Sequence, residues 1–287
     1  GILNGMPATG GWAEFPLGVF LLSTPKKKYE ASGAIIREVE AYDQNQVLMD
    51  DKVTGKYLIA AGTNFITAIA TILTGAGITQ QNLAGTTKTI PVDREWDGGT
   101  SKLAIVNDLL EAINYYSLYF DEDGVAIATP YVLPSEAPSE YTYAEDSQGV
   151  ISIGTVEQEL DLFSVPNQWV LVVSQPDRAT LKSVYTNTSV NSQTSTVSRD
   201  RTIVEYRDID APDQATLDGL AQRMANEAAQ AYEHIRFETW IMPQHSHFDN
   251  YTVSYKGTTA QHREISWTMD LVEGGRMAHE ARRNVSV

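Results

Sequence analysis

The chain has 287 residues, 42% of them hydrophobic and 20% charged, which suits two or three compact units, each with a core of its own. Lys and Arg number 21 against 37 Asp and Glu, a formal net charge of −16, and so anionic a surface repels phosphate and argues against a protein that grips nucleic acid. Cys is absent, which excludes disulfides, thiolate metal sites and a cysteine nucleophile, and no apolar run approaches the roughly 20 residues that a membrane helix needs.

The chain starts at Gly1 without the basic-then-apolar pattern of a signal peptide and enters a strand-rich pattern almost at once, so an N-terminal piece is expected to have been removed. Between Glu14 and Asp51 two apolar runs flank Ser, Pro and Gly residues and the cluster Lys26, Lys27 and Lys28. This reads as two antiparallel strands joined by an exposed loop with a solvated lysine tip. Next, Asn64 precedes Phe65, Ile69, Ile72 and Leu73 at helical spacing, and Gly75 or Gly77 supplies a left-handed stop. A second amphipathic helix follows Thr100 or Ser101 as N-cap, with Leu103, Val106, Leu110 and Ile113 on one face. The Asp123-Gly124 turn between strand-like runs then predicts a hairpin, so residues 50–131 form a small α/β unit.

Pro130, Pro134 and Pro138 mark a connection without regular structure and a domain boundary. Beyond them Trp169 to Val173 reads as a buried strand, and the Ser, Thr and Asn cluster from Thr186 to Ser198 as a long exposed loop. The strongest helical pattern places Leu217, Leu220, Met224, Ala228, Tyr232 and Ile235 on one face with Asp213 as N-cap, a helix over about 213–234. The last fifty or so residues return to period 2, with Tyr251, Val253 and Tyr255, then Ile265, Trp267, Met269 and Leu271, on buried faces.

Chemistry-bearing residues are sparse. His245, His247 and Asp249 alternate and would share one face of a strand, but no fourth ligand lies nearby in sequence. They are read as hydrogen-bonding groups at a polar edge, and chelation is expected to leave folding unchanged. His234, His262 and His279 stand alone as surface or satisfied core residues. Asp121 and Asp123 flank Gly124, where Asp is favoured by turn chemistry and offers too few oxygens for calcium. No serine elbow, zinc-protease helix or phosphate-binding glycine loop occurs. No catalytic, cofactor-binding or metal residue and no cofactor is therefore expected. Between Leu103 and Asp177 there is no Lys, Arg or His, while Asp121, Glu122, Asp123, Glu136, Glu140, Glu145, Asp146, Glu157, Glu159 and Asp161 all fall there. This stretch reads as a solvated acidic face, or as a surface across which DNA slides without sticking.

The patches EFPLGVFLL, STPKKKYEASG, AIIREVEAYD and LMDD at the front, with NDLLEAINYYSLYFDEDG, LFSVPNQWVLVVS and WTMDLVEGGRMAHEARR downstream, resemble in order and spacing the tail hub (baseplate or tail-tip hub) protein of long-tailed bacteriophages. The resemblance implies an α+β, mainly β fold: two tube-like β-barrel domains, a small inserted α/β domain and one long helix. It divides the chain into 1–48, part of an incomplete first barrel, 49–135, the α/β domain, and 136–287, the second barrel with its helix. It further implies a non-enzymatic homotrimer at the virion tail tip, assembled in the host cytoplasm. Its partners would be tail tube or distal tail ring proteins and tail-tip fibre or spike proteins, with genomic DNA passing unbound and no membrane segment. Two other functions fit the composition: a tail-tip enzyme that degrades cell wall, and an adhesin that binds carbohydrate.

Overall fold

The computed structural model describes residues 14–284 apart from 31, 34, 135, 145–149, 159–162, 176–177, 231–232, 244 and 247, and for 150–158, 230 and 233 the backbone alone. The chain is mainly β with few helices.

At the front, β1 (Leu21–Leu22) pairs with β4 (Ala41–Tyr42), and β2 (Lys26–Tyr29) with β3 (Ile35–Glu38), both antiparallel. The Ser23 amide donates to the Glu40 carbonyl at 2.8 Å, so the two pairs run on as one ribbon. The paired strands expected here are present. The lysine cluster, however, lies in β2 opposite Ile36, Arg37 and Glu38 rather than in a loop, because an exposed ladder satisfies its backbone without asking for apolar side chains. Among the described residues the ribbon has no core of its own.

Helix α1 (Asn45–Asp50) leads into the second unit, and its Leu48 is fully buried in that unit's core. There β5 (Tyr57–Ile59), α2 (Phe65–Gly75), β6 (Gln81–Leu83), β7 (Arg94–Trp96), α3 (Lys102–Ala112), β8 (Tyr119–Phe120) and β9 (Ala126–Ala128) surround Phe65, Ile69, Leu73, Ile105, Leu109 and Leu110. Local chemistry sets the ends. Asn64 and Ser101 accept from the amides of Thr67 and Ala104, satisfying first-turn donors, and Gly77 takes the left-handed conformation after α2. The predicted hairpin joins β8 to β9: Gly124 has positive φ, and Asp121 Oδ1 accepts from the amides of Asp123 and Val125.

No helix or strand occurs among the described residues of 131–140, as the prolines require. The described residues from 141 onward build two sheets. The larger is a curled half-barrel in the order β10 (Tyr141–Ala144), β16 (Asn250–Tyr255), β17 (Thr258–Met269), β18 (Arg276–Arg283), β15 (Glu233–Trp240), β11 (Val150–Gln158). The smaller has β12 (Gln168–Val173) between antiparallel β13 (Leu181–Thr186) and parallel β14 (Val204–Asp208), with α5 (Gln214–Gln230) packed on it through Leu217, Leu220 and Ala221 against Leu171 and Val173.

Three expectations are corrected here. Helix α5 ends at Gln230, not near 234, and Ile235 belongs to β15. Ile235, Phe237 and Thr239 alternate inward, and pairing with β11 and β18 outweighs the helical stripe; Tyr232 lies outside the described residues. The polar run from Thr186 to Ser198 is not an exposed loop: Asn187, Ser192, Thr194 and Ser195 are buried. They bond to one another, Asn187 Nδ2 donating to Ser192 Oγ at 2.9 Å, and short helix α4 (Thr196–Arg199) follows. Finally, a register shift between Glu264 and Ser266 turns β17 over. Ile265 is exposed and Leu271 lies outside the strand, also exposed, while His262 and Glu264 face the core.

Candidate functional site

That inversion matters because it places a carboxylate inside the curled sheet. Beside Glu264 on β17, strand β18 projects His279 inward and β15 projects Thr239. The described residues of 241–249 fold back over this face. His245 is set by its amide donating to the Met242 carbonyl, and Asp249 accepts from the Ser246 amide while its own carbonyl accepts from the Glu264 amide. His245 and Asp249 therefore lie in a loop, not on a strand face; they come together as i and i+4, and His247 lies outside the described residues.

The side chains of His245 and His279 are wholly buried, and those of Glu264 and Asp249 retain 3% and 5% exposure. His279 Nδ1 is 2.9 Å from Glu264 Oε2, and its Nε2 is 2.9 Å from Thr239 Oγ1. His245 Nε2 is 2.6 Å from the Tyr143 hydroxyl, and its Nδ1 faces Asp249 Oδ2 at 3.2 Å and Glu264 Oε2 at 3.9 Å. Phe237 stacks on the His279 ring at 4.6 Å, and Tyr251 closes the base beside Glu264. Burial pushes the Glu264 carboxyl up to about 8 against the opposing pull of His245 and Tyr251. Burial, helped by His245, pushes the His279 imidazole down to about 3. Both shifts have one origin, the cost of holding an unpaired charge away from water.

One ligand atom from each of His245, Glu264 and His279 lies within 4.8 Å of the others, so this trio could hold a metal. Both imidazoles are wholly buried, whereas Glu264 keeps 3% exposure and lines the neighbouring cavity. Sequence reasoning found two of the four residues. Glu264 and His279 come from other strands, and the one local hint was a charged residue at an alternate position of a β-patterned run.

The remaining candidates have local roles. Asp121 shapes its turn, and His234 lies 3.8 Å from Glu280 at a partly exposed edge. His262 is buried, its Nδ1 3.1 Å from the Ala260 carbonyl oxygen. Glu140 is raised by burial and then by Asp249 beside it. Glu145, Asp146, Glu159, Asp161 and Asp177 lie outside the described residues, as does the side chain of Glu157. Between the second unit and the curled sheet, a cavity of about 610 Å³ is lined by Tyr116, Tyr131, Arg223, Phe248 and Arg263. Phe248 stacks on Tyr116 at 4.3 Å, and Arg263 donates to the Tyr116 hydroxyl. Elsewhere Arg94 bridges Asp108 and Asp210 at 3.1 and 2.8 Å, tying the second unit to the turn before α5.

Apolar side chains crowd the surface of the front ribbon. Phe20, Leu22, Tyr29, Ile35 and Tyr42 are all exposed, Leu22 by 77% and Tyr29 by 69%.

No protein-family model and no curated protein matches the chain. Solved structures do. The tail protein from Neisseria meningitidis MC58 superposes with a TM-score of 0.68 over 93% of this chain and 80% of that chain, at 9% identity. The 43 kDa tail protein of prophage MuSo2 from Shewanella oneidensis gives 0.64 over 91% and 76%, also at 9% identity. A chain of the virion of the native gene transfer agent particle gives 0.50 over 77% of this chain and 47% of that one, at 14% identity. At such identities the likeness is one of backbone architecture: the chain has the fold of phage tail proteins.

Proposed function

We propose that this chain is a structural hub subunit of a phage tail tip or baseplate, located in the virion, where copies form a ring that closes the tail tube. The tail-protein fold, extending over 93% of the chain, carries this reading. In it the chain divides as 1–48, 49–135 and 136–287, the curled sheet forms the second of two tube-like barrels, and three copies make the ring. The exposed apolar ribbon supports the assembly, since a paired ladder bearing Phe20, Leu22 and Ile35 toward water is stabilised by association with another chain. A non-enzymatic role accords with the tail-protein fold. The net charge of −16 suits a wall past which DNA slides, with part of the acidic surplus between Leu103 and Asp177 facing the lumen.

Imaging of assembled tails with the chain labelled tests this reading. A threefold ring at the tip is expected; a single copy, or a position away from the tip, refutes it.

A further inference from the structure

The cluster inside the curled sheet gathers ligand atoms: one from each of His245, Glu264 and His279 lies within 4.8 Å of the other two. Donor atoms about 2.0–2.2 Å from a tetrahedral Zn²⁺ lie about 3.3–3.6 Å from one another. Here the separations are 2.9 Å from His279 Nδ1 to Glu264 Oε2, 3.9 Å from that oxygen to His245 Nδ1, and 3.2 Å from His245 Nδ1 to Asp249 Oδ2. We propose that His245, Glu264 and His279, with Asp249 as fourth ligand, bind one Zn²⁺-class transition-metal ion that pins the backbone at His245 and Asp249 to strands β17 and β18.

Two independent observations support the assignment. The first is orientation: both imidazoles have Nε2 at a hydroxyl, that of Tyr143 or of Thr239, which fixes each ring and leaves Nδ1 turned toward the carboxylates. Outer partners of this kind hold metal-binding histidines. The second is the buried His245 Nδ1, which has no hydrogen-bond partner although Asp249 Oδ2 lies 3.2 Å away. Burying such a group unsatisfied is costly, and a cation beside it satisfies it. A bound dication displaces the protons of its ligands, leaving two carboxylates and two neutral imidazoles to balance it. The donor set also selects the metal: mixed nitrogen and oxygen ligands suit Zn²⁺, whereas Ca²⁺ and Mg²⁺ take oxygen alone and more of it. Four protein ligands, both imidazoles wholly buried, leave no open position and make the site structural. The proposal is independent of the hub assignment and replaces the no-metal expectation drawn from the sequence.

Its test uses the full chain, stripped with a chelator and titrated with Zn²⁺ alone. One equivalent per chain is expected to bind and to raise the melting temperature by several degrees, with no response to Mg²⁺ or Ca²⁺. Co²⁺ is expected to give the visible absorption of a four-coordinate ion. Glu264→Gln and His245→Gln should abolish the Zn²⁺-dependent rise. A stripped chain that neither binds Zn²⁺ nor changes its melting temperature overturns the proposal, as does Glu264→Gln binding like the unaltered chain. Should either variant fail to fold, the Co²⁺ spectrum of the unaltered chain still decides, an octahedral spectrum or none counting against the site.

Discussion

Asp213 shows how one side chain starts an element. Its Oδ1 accepts from the Thr216 amide and hydroxyl, both at 2.8 Å, and so satisfies donors that the first turn of α5 leaves open. Burial alone would raise its carboxyl, but the Thr216 hydrogen bonds, with Lys88 and Arg178 nearby, hold it below the usual carboxylate range. A lowered folded value means that this stability is fully present above the ordinary Asp range and is lost as pH falls through the folded value. Asp213→Ala should therefore cost about 1 kcal/mol at neutral pH. Urea unfolding of the two proteins at pH 7 and at pH 2 checks this: the gap should close in acid, and a gap that persists would show that the carboxylate is not the source. Packing makes the contrast at this scale. Leu109→Ala should cost about 2–5 kcal/mol, because the side chain is fully buried among α2 and α3. Leu58→Ala, at a position 58% exposed, should stay within about 0.5 kcal/mol.

Elements were legible in the sequence where their signals were local. Asn64, Ser101 and Asp213 sit at helix starts, Gly77 at a stop and Gly124 in a turn, and each acts within a few residues of itself. Legibility failed where distant pairing decided. The end of α5 was hidden because Ile235 continues the helical stripe, and only β11 and β18, far along the chain, claim it for a strand. The buried cluster was half-visible for the same reason: His245 and Asp249 are neighbours in sequence, whereas Glu264 and His279 reach them through the ladder and the β17 register shift. The front ribbon yields a prediction at this scale. Among the described residues its apolar side chains contribute to no core cluster, so Leu22→Ser combined with Ile35→Ser should leave the unfolding midpoint of the isolated chain unchanged and weaken its self-association. Light scattering across a concentration series reads the second effect. A lower midpoint with unaltered association would assign the ribbon to the stability of the single chain instead.

For the whole molecule, charge and architecture point the same way. A chain of net charge −16 should show no binding to duplex DNA near physiological salt, and detectable retention in a filter assay would remove the channel argument. The backbone architecture is shared with tail proteins at 9% identity, which requires only that hydrophobic positions, turns and register be kept while most side chains change. The hub account rests on assembly, and the measurement that bears on it most directly is the copy number and symmetry of this chain in the intact tail. Cryo-electron microscopy of tail tips should show three copies around the tube axis, with the ribbons covered by neighbouring chains. One copy per tail, or three copies with the ribbons facing solvent, would contradict it.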